Sequence, residues 1–409
     1  MQLTPYVMHY ERWIDILHVL IIPSWYSTPD KQLAGPFFRD QAQALLKHGQ
    51  TVGLIYPYLR ILSEIFSEHG GITYEDDEGV NTYRYNAVSW IPYTSRFREY
   101  FLIKAAVRLF KHYIKQHGKP DIIHAHSLLY AGLFAQEISR QFDIPYVVTE
   151  HRTNYQSSLD AQLKQRLAVA AAASSSNIAV SEHFTDFLNT YFPDGTRWHY
   201  IPNMVHPIFT DQTRLSETVS DDFVFCQVAI LSQRKNPDLV IKAFAEEFKN
   251  DDRITLIIGG DGELMPECQA LVEHYGLGDR IQLPGQLSRE QVAETFKRAN
   301  VCIVASDYET FGLTAAEALA SGIPVISSRC GGTESIVTDA VGFLMDELSV
   351  DELRRCMRQM KDNHEQYEPC DLRDYALANF GSQQISQQLV NVYHQVLNDP
   401  QSLQQRSDH

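Results

Sequence analysis

The stretch SDYETFGLTAAEALASGIPVISSRCGGTES, residues 306–335, decides the fold of the chain. It continues an apolar strand through a turn that holds Glu309 and Gly312, and then enters a predicted helix that carries Glu317. The Ser-Gly pair at 321–322 is expected to end this helix, because glycine accepts the left-handed conformation common at helix C-termini and the proline that follows forbids continuation. An apolar strand comes next. Since open parallel sheets bind ligands at the carboxyl ends of their strands, the turn is predicted to be a binding site.

The start of this helix is suited to a phosphate. Its first backbone N–H groups lack intrahelical partners and the helix dipole favours negative charge; they belong to Phe311, Gly312, Leu313 and Thr314. Carboxylates beside such an anion site are expected to accept hydrogen bonds from neutral sugar or ribose hydroxyls. The alternative is that Glu309 caps the helix and Glu317 lies on a solvated face, and helix chemistry alone leaves both possibilities open.

The whole segment resembles the donor-site signature of the retaining glycosyltransferases of family four. The resemblance rests on Glu309 and Glu317 with seven residues between them, on Phe311-Gly312, and on Gly331-Gly332 with Glu334 beyond. It extends in order over nearly the whole chain. It implies an α/β chain of GT-B architecture, in which two Rossmann-like domains with parallel sheets face each other across a cleft. It also implies that Glu309 holds hydroxyls of the donor sugar and that Glu317 holds the ribose hydroxyls.

Composition is that of a globular enzyme with two domains. The 409 residues are 44% hydrophobic and 21% charged, and the net charge of −16 argues against general nucleic-acid binding. All six cysteines lie in the C-terminal half without metal-type spacing, so they are interpreted as reduced thiols. The N-terminus lacks the pattern of a secretion signal, and nothing approaches the roughly 18 apolar residues of a membrane span. The expected location is the cytoplasm, either free or at the inner face of the membrane.

Three segments are predicted along the chain. Residues 1–205 form the acceptor-binding domain, residues 206–379 the nucleotide-sugar-binding domain, and residues 380–409 a helix that crosses back to the first domain followed by a polar tail. The boundary rests on Ile201-Pro202-Asn203, which resembles the family's linker motif, although Met204 and His206 replace its usual Gly and Asp. A polar stretch at 215–222 follows.

The first domain is predicted to supply two histidines and a glycine to the cleft. His126 and His151 each end an apolar strand, and the resemblance places His151 at the donor sugar and reaction centre and His126 nearer the acceptor. A structural role is the alternative for each. Gly35 precedes a predicted amphipathic helix and matches the acceptor-side loop, where it would let substrate approach the backbone; a simple turn glycine is the other interpretation.

The donor diphosphate is expected to be held by cations after the first strand of the second domain. Family members carry an Arg and then a Lys in this loop; Lys235 matches the Lys, but Ile230 stands at the Arg position. Arg234 is the predicted substitute. Gly285 matches the loop against which the nucleotide base packs. The glycine cluster at 259–262 is a weak nucleotide signal by itself.

Residues 94–119 predict a basic amphipathic helix in an otherwise acidic chain. Its cations are Arg96, Arg98, Lys104, Arg108, Lys111, Lys115 and Lys119, and its apolar surface is assigned to Phe97, Phe101, Val107, Phe110 and Ile114. Such a helix can lie on anionic lipid, each cation contributing on the order of 1 kcal/mol. It can equally pack on the sheet with its basic face outward, and the two are compatible.

The predicted activity is retaining transfer of a hexose from a UDP-sugar, with UDP-glucose as the first guess, to a glycan or polyprenyl-linked acceptor of polysaccharide assembly. His151, Glu309 and Lys235 are the catalytic candidates. No cofactor is expected. No metal is expected either, because no Asp-x-Asp motif follows a strand and the acidic cluster at 75–78 is interpreted as a solvated turn. The alternatives are a GT-B sugar-nucleotide epimerase and a non-catalytic nucleotide-sugar-binding protein.

Overall fold

The computed structural model describes residues 16–27, 35–60, 71–88, 95–152, 155, 160–192, 196–210 and 222–399. Within these residues the chain folds around two sheets whose strands alternate with helices. Most of the polar stretch at 215–222 and residues 400–409 of the predicted tail lie outside the described residues.

The first sheet carries helices on both faces. Its described strands are β1 (His18–Pro23), β2 (Thr51–Arg60), β3 (Gly71–Asp77), β4 (Val80–Val88), β5 (Ile122–His126), β6 (Tyr146–Glu150), β7 (Ser176–Ala179) and β8 (Trp198–Tyr200). The helices between them are α1 (Pro36–Lys47), α2 (Ser95–His117), α3 (Leu133–Phe142), α4 (Ala161–Ala173) and α5 (Glu182–Tyr191). The strand order is β3-β4-β2-β1-β5-β6-β7-β8, and every pair is parallel except β3 with β4.

The second sheet is parallel throughout its described strands. These are β9 (Phe223–Val228), β10 (Ile254–Gly259), β11 (Ile281–Gly285), β12 (Val301–Val304), β13 (Val325–Ser327) and β14 (Gly342–Leu344), in the order β11-β10-β9-β12-β13-β14. The helices are α6 (Pro237–Phe248), α7 (Met265–Tyr275), α8 (Arg289–Arg298), α9 (Leu313–Ala320), α10 (Val350–Asp362), α11 (Pro369–Phe380) and α12 (Ser382–Asn398).

The apolar strands are buried on both faces, as parallel strands require. In β1, Val19 and Ile21 face the core formed with α1 and α12, whereas Leu20 and Ile22 face the core on the other side of the sheet. The last helix, α12, thus packs on the first sheet, where the hydroxyl of Tyr393 lies 2.7 Å from Nδ1 of His124. This long-range contact joins the last described helix to β5 of the first sheet.

Each sheet has a point where the strand order reverses, and a crevice opens there at the carboxyl ends of the strands. In the first sheet the reversal lies between β1 and β5, and in the second it lies between β9 and β12. The candidate residues follow these strands: Gly35 comes after β1, His126 ends β5, Lys235 comes after β9 and Glu309 comes after β12.

The predicted α/β fold with two parallel sheets is confirmed. The stretch at 306–335 forms a turn, α9 and β13, with α9 ending next to the predicted Ser-Gly pair. The limits of the three predicted segments stay a prediction; the described strands of the first sheet end at Tyr200 and those of the second begin at Phe223.

One local prediction was only partly right. Glu75, Asp76 and Glu78 are exposed, and Glu78 lies in the turn between β3 and β4, but Glu75, Asp76 and Asp77 belong to β3 and Asp77 is buried. Its carboxylate accepts hydrogen bonds from the hydroxyl of Tyr26 and from Nε of Arg39, both at 2.9 Å. Tyr26 and Arg39 come from distant segments, and β3 is held by pairing with β4. Local charge could therefore predict neither the burial of Asp77 nor the strand.

Candidate active site

Lys235 and Glu309 meet in the crevice of the second sheet. The Lys235 ammonium contacts Oε1 of Glu309, and the hydroxyl of Ser306 donates to the same oxygen at 2.8 Å. The two side chains remain 17% and 16% exposed, so a ligand can reach them. The predicted phosphate-binding cation and the predicted sugar-binding acid therefore lie side by side. Here they satisfy each other's charge.

The neighbouring Gly331-Gly332 segment holds the backbone around Glu309 in place. The N–H of Glu309 donates to the carbonyl of Cys330 at 2.8 Å, and the N–H of Gly332 donates to the carbonyl of Glu309 at 2.9 Å. A Cβ on Gly332 would lie 2.5 Å from the nitrogen of Phe311. A Cβ on Gly331 would lie 2.7 Å from the ring of His183 on α5. The two glycines thus allow close approach of the Glu309 turn and of the first domain.

The start of α9 presents unpaired donors, as predicted from the sequence. Gly312 has φ of 97°, a left-handed conformation that glycine adopts readily, and its carbonyl accepts from Ala315 and Ala316. Among the described residues, no acceptor is found for the N–H groups of Gly312, Leu313 and Thr314. With the helix dipole behind them, such groups are suited to an anion.

Glu317 lies one turn into α9 and is partly buried. Burial raises the pKa of its carboxyl to about 8, against a smaller lowering by the guanidinium of Arg289. Arg289 in turn forms a bidentate ion pair with Asp40 of α1, with nitrogen to oxygen distances of 2.8 and 2.7 Å. An acid that stays protonated at neutral pH needs a hydrogen-bonding partner to become ionised, and ribose hydroxyls can supply it. The Asp40–Arg289 pair, which sequence spacing did not reveal, joins the two sheets' helices beside it.

The remaining donor-side candidates surround the same crevice. Arg234 is exposed, and its carbonyl accepts from the N–H of Asp307 at 2.9 Å, which ties the Lys235 loop to the Glu309 loop. Ile230, at the position where an Arg was expected, is 72% exposed. Gly285 has φ of 78°, and a Cβ there would meet no atom within 4 Å, so the space above it is open.

The glycines at 260 and 262 have a structural reason that needs no nucleotide. A Cβ on Gly260 would lie 1.8 Å from the carbonyl oxygen of Ala229, and one on Gly262 would lie 2.4 Å from that of Leu231. These positions therefore permit close packing of the backbone against the loop that carries Lys235.

His126 and His151 lie together at the carboxyl ends of β5 and β6. Nδ1 of His126 is 3.0 Å from Nε2 of His151, and both residues are buried. Burial lowers the pKa of His151 to about 3 and that of His126 well below its usual value, so both rings are neutral at physiological pH. The structure brings together two residues for which the sequence had predicted separate roles.

Gly35 begins α1, and its conformation allows aromatic rings of the helix to lie over these two histidines. It has φ of 65°, and a Cβ there would lie 2.6 Å from the ring of Phe38. The ring of Phe38 is centred 4.8 Å from that of His126, and the ring of Phe37 is centred 5.0 Å from that of His151. The helix start thus places two aromatic rings over the histidine pair.

Glu150 is a site residue that the sequence analysis did not select. Its carboxylate is fully buried and accepts hydrogen bonds from the backbone N–H groups of Leu128, His151 and Arg152, each at 2.8 Å, and from the hydroxyl of Tyr155. It therefore joins the turn after β5 to the turn after β6. The one local signal is its place at the end of β6, directly before His151.

Among the described residues, no cluster of three or more His, Cys, Asp or Glu side chains is arranged to hold a metal ion. The six cysteines are all unpaired. In the described parts of the chain, no helix has both the length and the apolar character needed to cross a membrane.

Comparisons with known proteins agree with this architecture. The model of "Glycosyltransferase Family 4" matches residues 35–208, and that of "Glycosyl transferases group 1" matches residues 210–375. D-inositol 3-phosphate glycosyltransferase of Xylanimonas cellulosilytica is 28% identical over 57% of this chain and 61% of its own length. Alpha-monoglucosyldiacylglycerol synthase of Streptococcus pneumoniae is 26% identical over 64% of each chain. The matches thus span less than two thirds of these two relatives.

A solved structure shows the same fold. The Anabaena protein HepE in complex with UDP and glucose superposes with a TM-score of 0.66 at 17% identity, covering 92% of this chain and 99% of that one. The GT-B architecture expected from the sequence is thereby confirmed.

Replacing Glu150 with Gln should destabilise the protein by roughly 2–4 kcal/mol, because an amide can accept fewer of these bonds and turns its own N–H groups toward buried donors. Urea unfolding measures the change. Glu137→Gln is the matched control: in the described parts of the chain Glu137 pairs only with side chains on the surface of α3, and its loss should change stability by less than about 0.5 kcal/mol. Equal effects of the two changes would contradict the role given to Glu150.

Proposed function

Because the chain belongs to glycosyltransferase family four, we propose that it transfers a hexose from a UDP-hexose to a glycan or lipid-linked acceptor in polysaccharide biosynthesis. The observation that carries the proposal is the meeting of Lys235, Glu309 and the free N–H groups at the start of α9 in one crevice. HepE, which has the same fold, was crystallised with UDP and glucose, and this favours UDP as the carrier. Residues 1–205 would bind the acceptor and residues 206–379 the donor.

The electrostatic task of the site is to stabilise the departing diphosphate. When the bond at the anomeric carbon breaks, negative charge grows on the diphosphate and positive charge on the sugar ring. Lys235, Arg234 and the N–H groups of α9 are suited to the phosphates. Arg234 supplies the second cation in place of the Arg that Ile230 replaces.

The acids and the histidine are suited to the neutral parts of the donor. Glu309 would exchange its contact with Lys235 for hydroxyls of the sugar, Glu317 would accept from the ribose, and the base would pack over Gly285. His151 would orient the sugar from the opposite sheet. We propose retention of configuration by attack of the acceptor on the same face as the departing phosphate. The cations and helix start already supply positive charge, so we propose that no metal takes part.

Helix α2 favours a lipid-linked acceptor. It packs on the sheet through Leu102, Ala106, Leu109, Phe110 and Tyr113, while Tyr100 and Phe101 are 52% and 43% exposed. Lys104, Arg108, Lys111 and Lys115 are exposed along the same helix. Basic side chains beside exposed aromatic rings suit an anionic lipid surface. A location at the cytoplasmic face of a membrane follows from this proposal, and one relative in the comparisons is named for a glycolipid product.

Alanine at Glu309 or Lys235 should lower UDP release from the preferred UDP-hexose roughly 100-fold, because each change removes a group placed at the reacting sugar or the leaving diphosphate. Arg234→Ala should cause a smaller loss, on the order of tenfold. Glu294→Ala, at an exposed acid on α8, is the control. UDP release is measured with UDP-glucose, UDP-galactose and UDP-N-acetylglucosamine, with and without acceptors.

Full activity of Glu309→Ala would refute the role of this acid. Product analysis in the same assay separates the alternatives, because an epimerase converts the donor without an acceptor and a binding protein releases no UDP.

UDP affinity should rise with pH between 7 and 8 by roughly fivefold and then level off, because the pKa of Glu317 is raised to about 8 and ribose binding requires its ionised form. Below that pH the free protein must release a proton to bind. Calorimetric titration with UDP from pH 7 to pH 9 measures the slope. Glu317→Gln should bind more weakly and show a flat profile over this range; an unchanged slope in that variant would show that another group titrates.

Reversing three charges on α2 in Lys104→Glu/Lys111→Glu/Lys115→Glu should reduce binding to anionic vesicles at least tenfold, since each cation contributes about 1 kcal/mol. Vesicle binding is measured by sedimentation with phosphatidylglycerol vesicles, and with phosphatidylcholine vesicles for comparison. Arg197→Glu/Lys249→Glu/Arg298→Glu makes the same charge change at exposed positions on other surfaces. A similar loss in both triple variants would mean that only net charge matters.

A further inference from the structure

His126 and His151 form one hydrogen-bonded unit. Their rings are joined by the 3.0 Å contact between Nδ1 of His126 and Nε2 of His151, so one of these nitrogens carries the proton and the other accepts it. Because burial lowers the pKa of both rings, neither becomes an imidazolium at physiological pH. The variable in this pair is therefore the tautomer of each ring and not its charge.

The outer nitrogens of the pair have no partner among the described residues. Nε2 of His126 and Nδ1 of His151 are both buried and unsatisfied. A buried polar atom left in this state costs about 1–3 kcal/mol. Since the pair holds a single bridging proton, one outer nitrogen is a donor whenever the other is an acceptor. The unpaired Nδ1 of His151 can therefore donate to or accept from a hydroxyl, and which of the two it does depends on the position of the proton between the rings.

The described side chains around His126 hold it in place, but they do not share a hydrogen bond with the ring of His151 and so cannot set its tautomer. His124 lies parallel to His126 with ring centres 4.3 Å apart, and both its ring nitrogens are occupied, by Tyr393 and by Thr149 at 2.7 Å. Phe38 contacts both rings of the pair. His126 is fully buried and His151 is 8% exposed, so the small exposed surface of the pair belongs to His151.

We propose that His126 is a positioning residue for His151: through their shared hydrogen bond it fixes the tautomer in which His151 presents Nδ1 to a hydroxyl of the transferred sugar. This inference rests on the proposed transferase function for its substrate, but the coupling of the two rings does not. His126 then contributes to turnover of the sugar without touching the nucleotide. It replaces the acceptor contact predicted for His126 from the sequence.

The direct test compares three variants by the ¹⁵N NMR signals of His151, assigned from their loss in His151→Gln. His126→Phe keeps a ring of similar size without the hydrogen bond, and His126→Asn restores a polar group near the position of Nδ1. Tyr393→Phe loosens the same cluster at His124 and controls for general loosening. We expect one tautomer of His151 in the wild type and in Tyr393→Phe, a mixture of both tautomers in His126→Phe, and a smaller share of the minor tautomer in His126→Asn, whose amide can turn to donate or to accept. An unchanged tautomer in His126→Phe would overturn the proposal.

Kinetics with UDP-glucose supply the second readout, with water as acceptor if no better one is found. His126→Phe should lower kcat at least tenfold while UDP affinity stays within about twofold of the wild type, and His126→Asn should recover part of the loss. Equal kcat in wild type and His126→Phe, or no recovery in His126→Asn, would overturn the positioning role. A wild-type protein that fails to bind UDP would instead contradict the proposed function, and the NMR comparison would still decide whether the histidines are coupled.

Discussion

The contact between Lys235 and Glu309 is the interaction on which the proposed site depends. It exists because β9 and β12 are adjacent and parallel while the chain leaves them in opposite directions, toward β10 and toward β13. Their two loops therefore separate at the carboxyl end and leave a crevice, which the start of α9 closes from one side. A cation, an acid and free N–H groups converge there because of the topology. Gly331 and Gly332 allow the Glu309 turn to approach closely enough to complete the crevice.

The first sheet repeats this arrangement with different chemistry. Its reversal point brings His126 and, one strand further, His151 under the aromatic rings at the start of α1. The same helix carries Asp40, which pairs with Arg289 of α8, so α1 contacts the histidines through its first aromatic rings and the second domain further along. Closure of α12 over α1 adds an apolar link between the units. The two crevices are thereby held facing each other by both charge and packing.

The sequence predicted the parts of this site that depend on local chemistry. A strand, a turn with Gly312, a helix with Glu317 and a stop at Gly322 are specified by neighbouring residues, and the structure has them in place. Contacts between distant residues could not be predicted in this way: Asp40 and Arg289 are 249 positions apart, and His124 and Tyr393 are 269 apart. The buried acids Asp77 and Glu150 were missed for the same reason, because an acid's burial is decided by donors that other segments bring to it.

The central claim is that the start of α9 holds the diphosphate of a sugar nucleotide between Lys235 and Glu309. A crystal structure of the protein with an unreacted UDP-hexose tests it most directly. The account predicts phosphate oxygens within hydrogen-bonding distance of the N–H groups of Leu313 and Thr314, the Lys235 ammonium on the diphosphate, and Glu309 moved from Lys235 to hydroxyls of the sugar. Phosphates bound elsewhere in the cleft, with the Lys235–Glu309 contact intact, would contradict it.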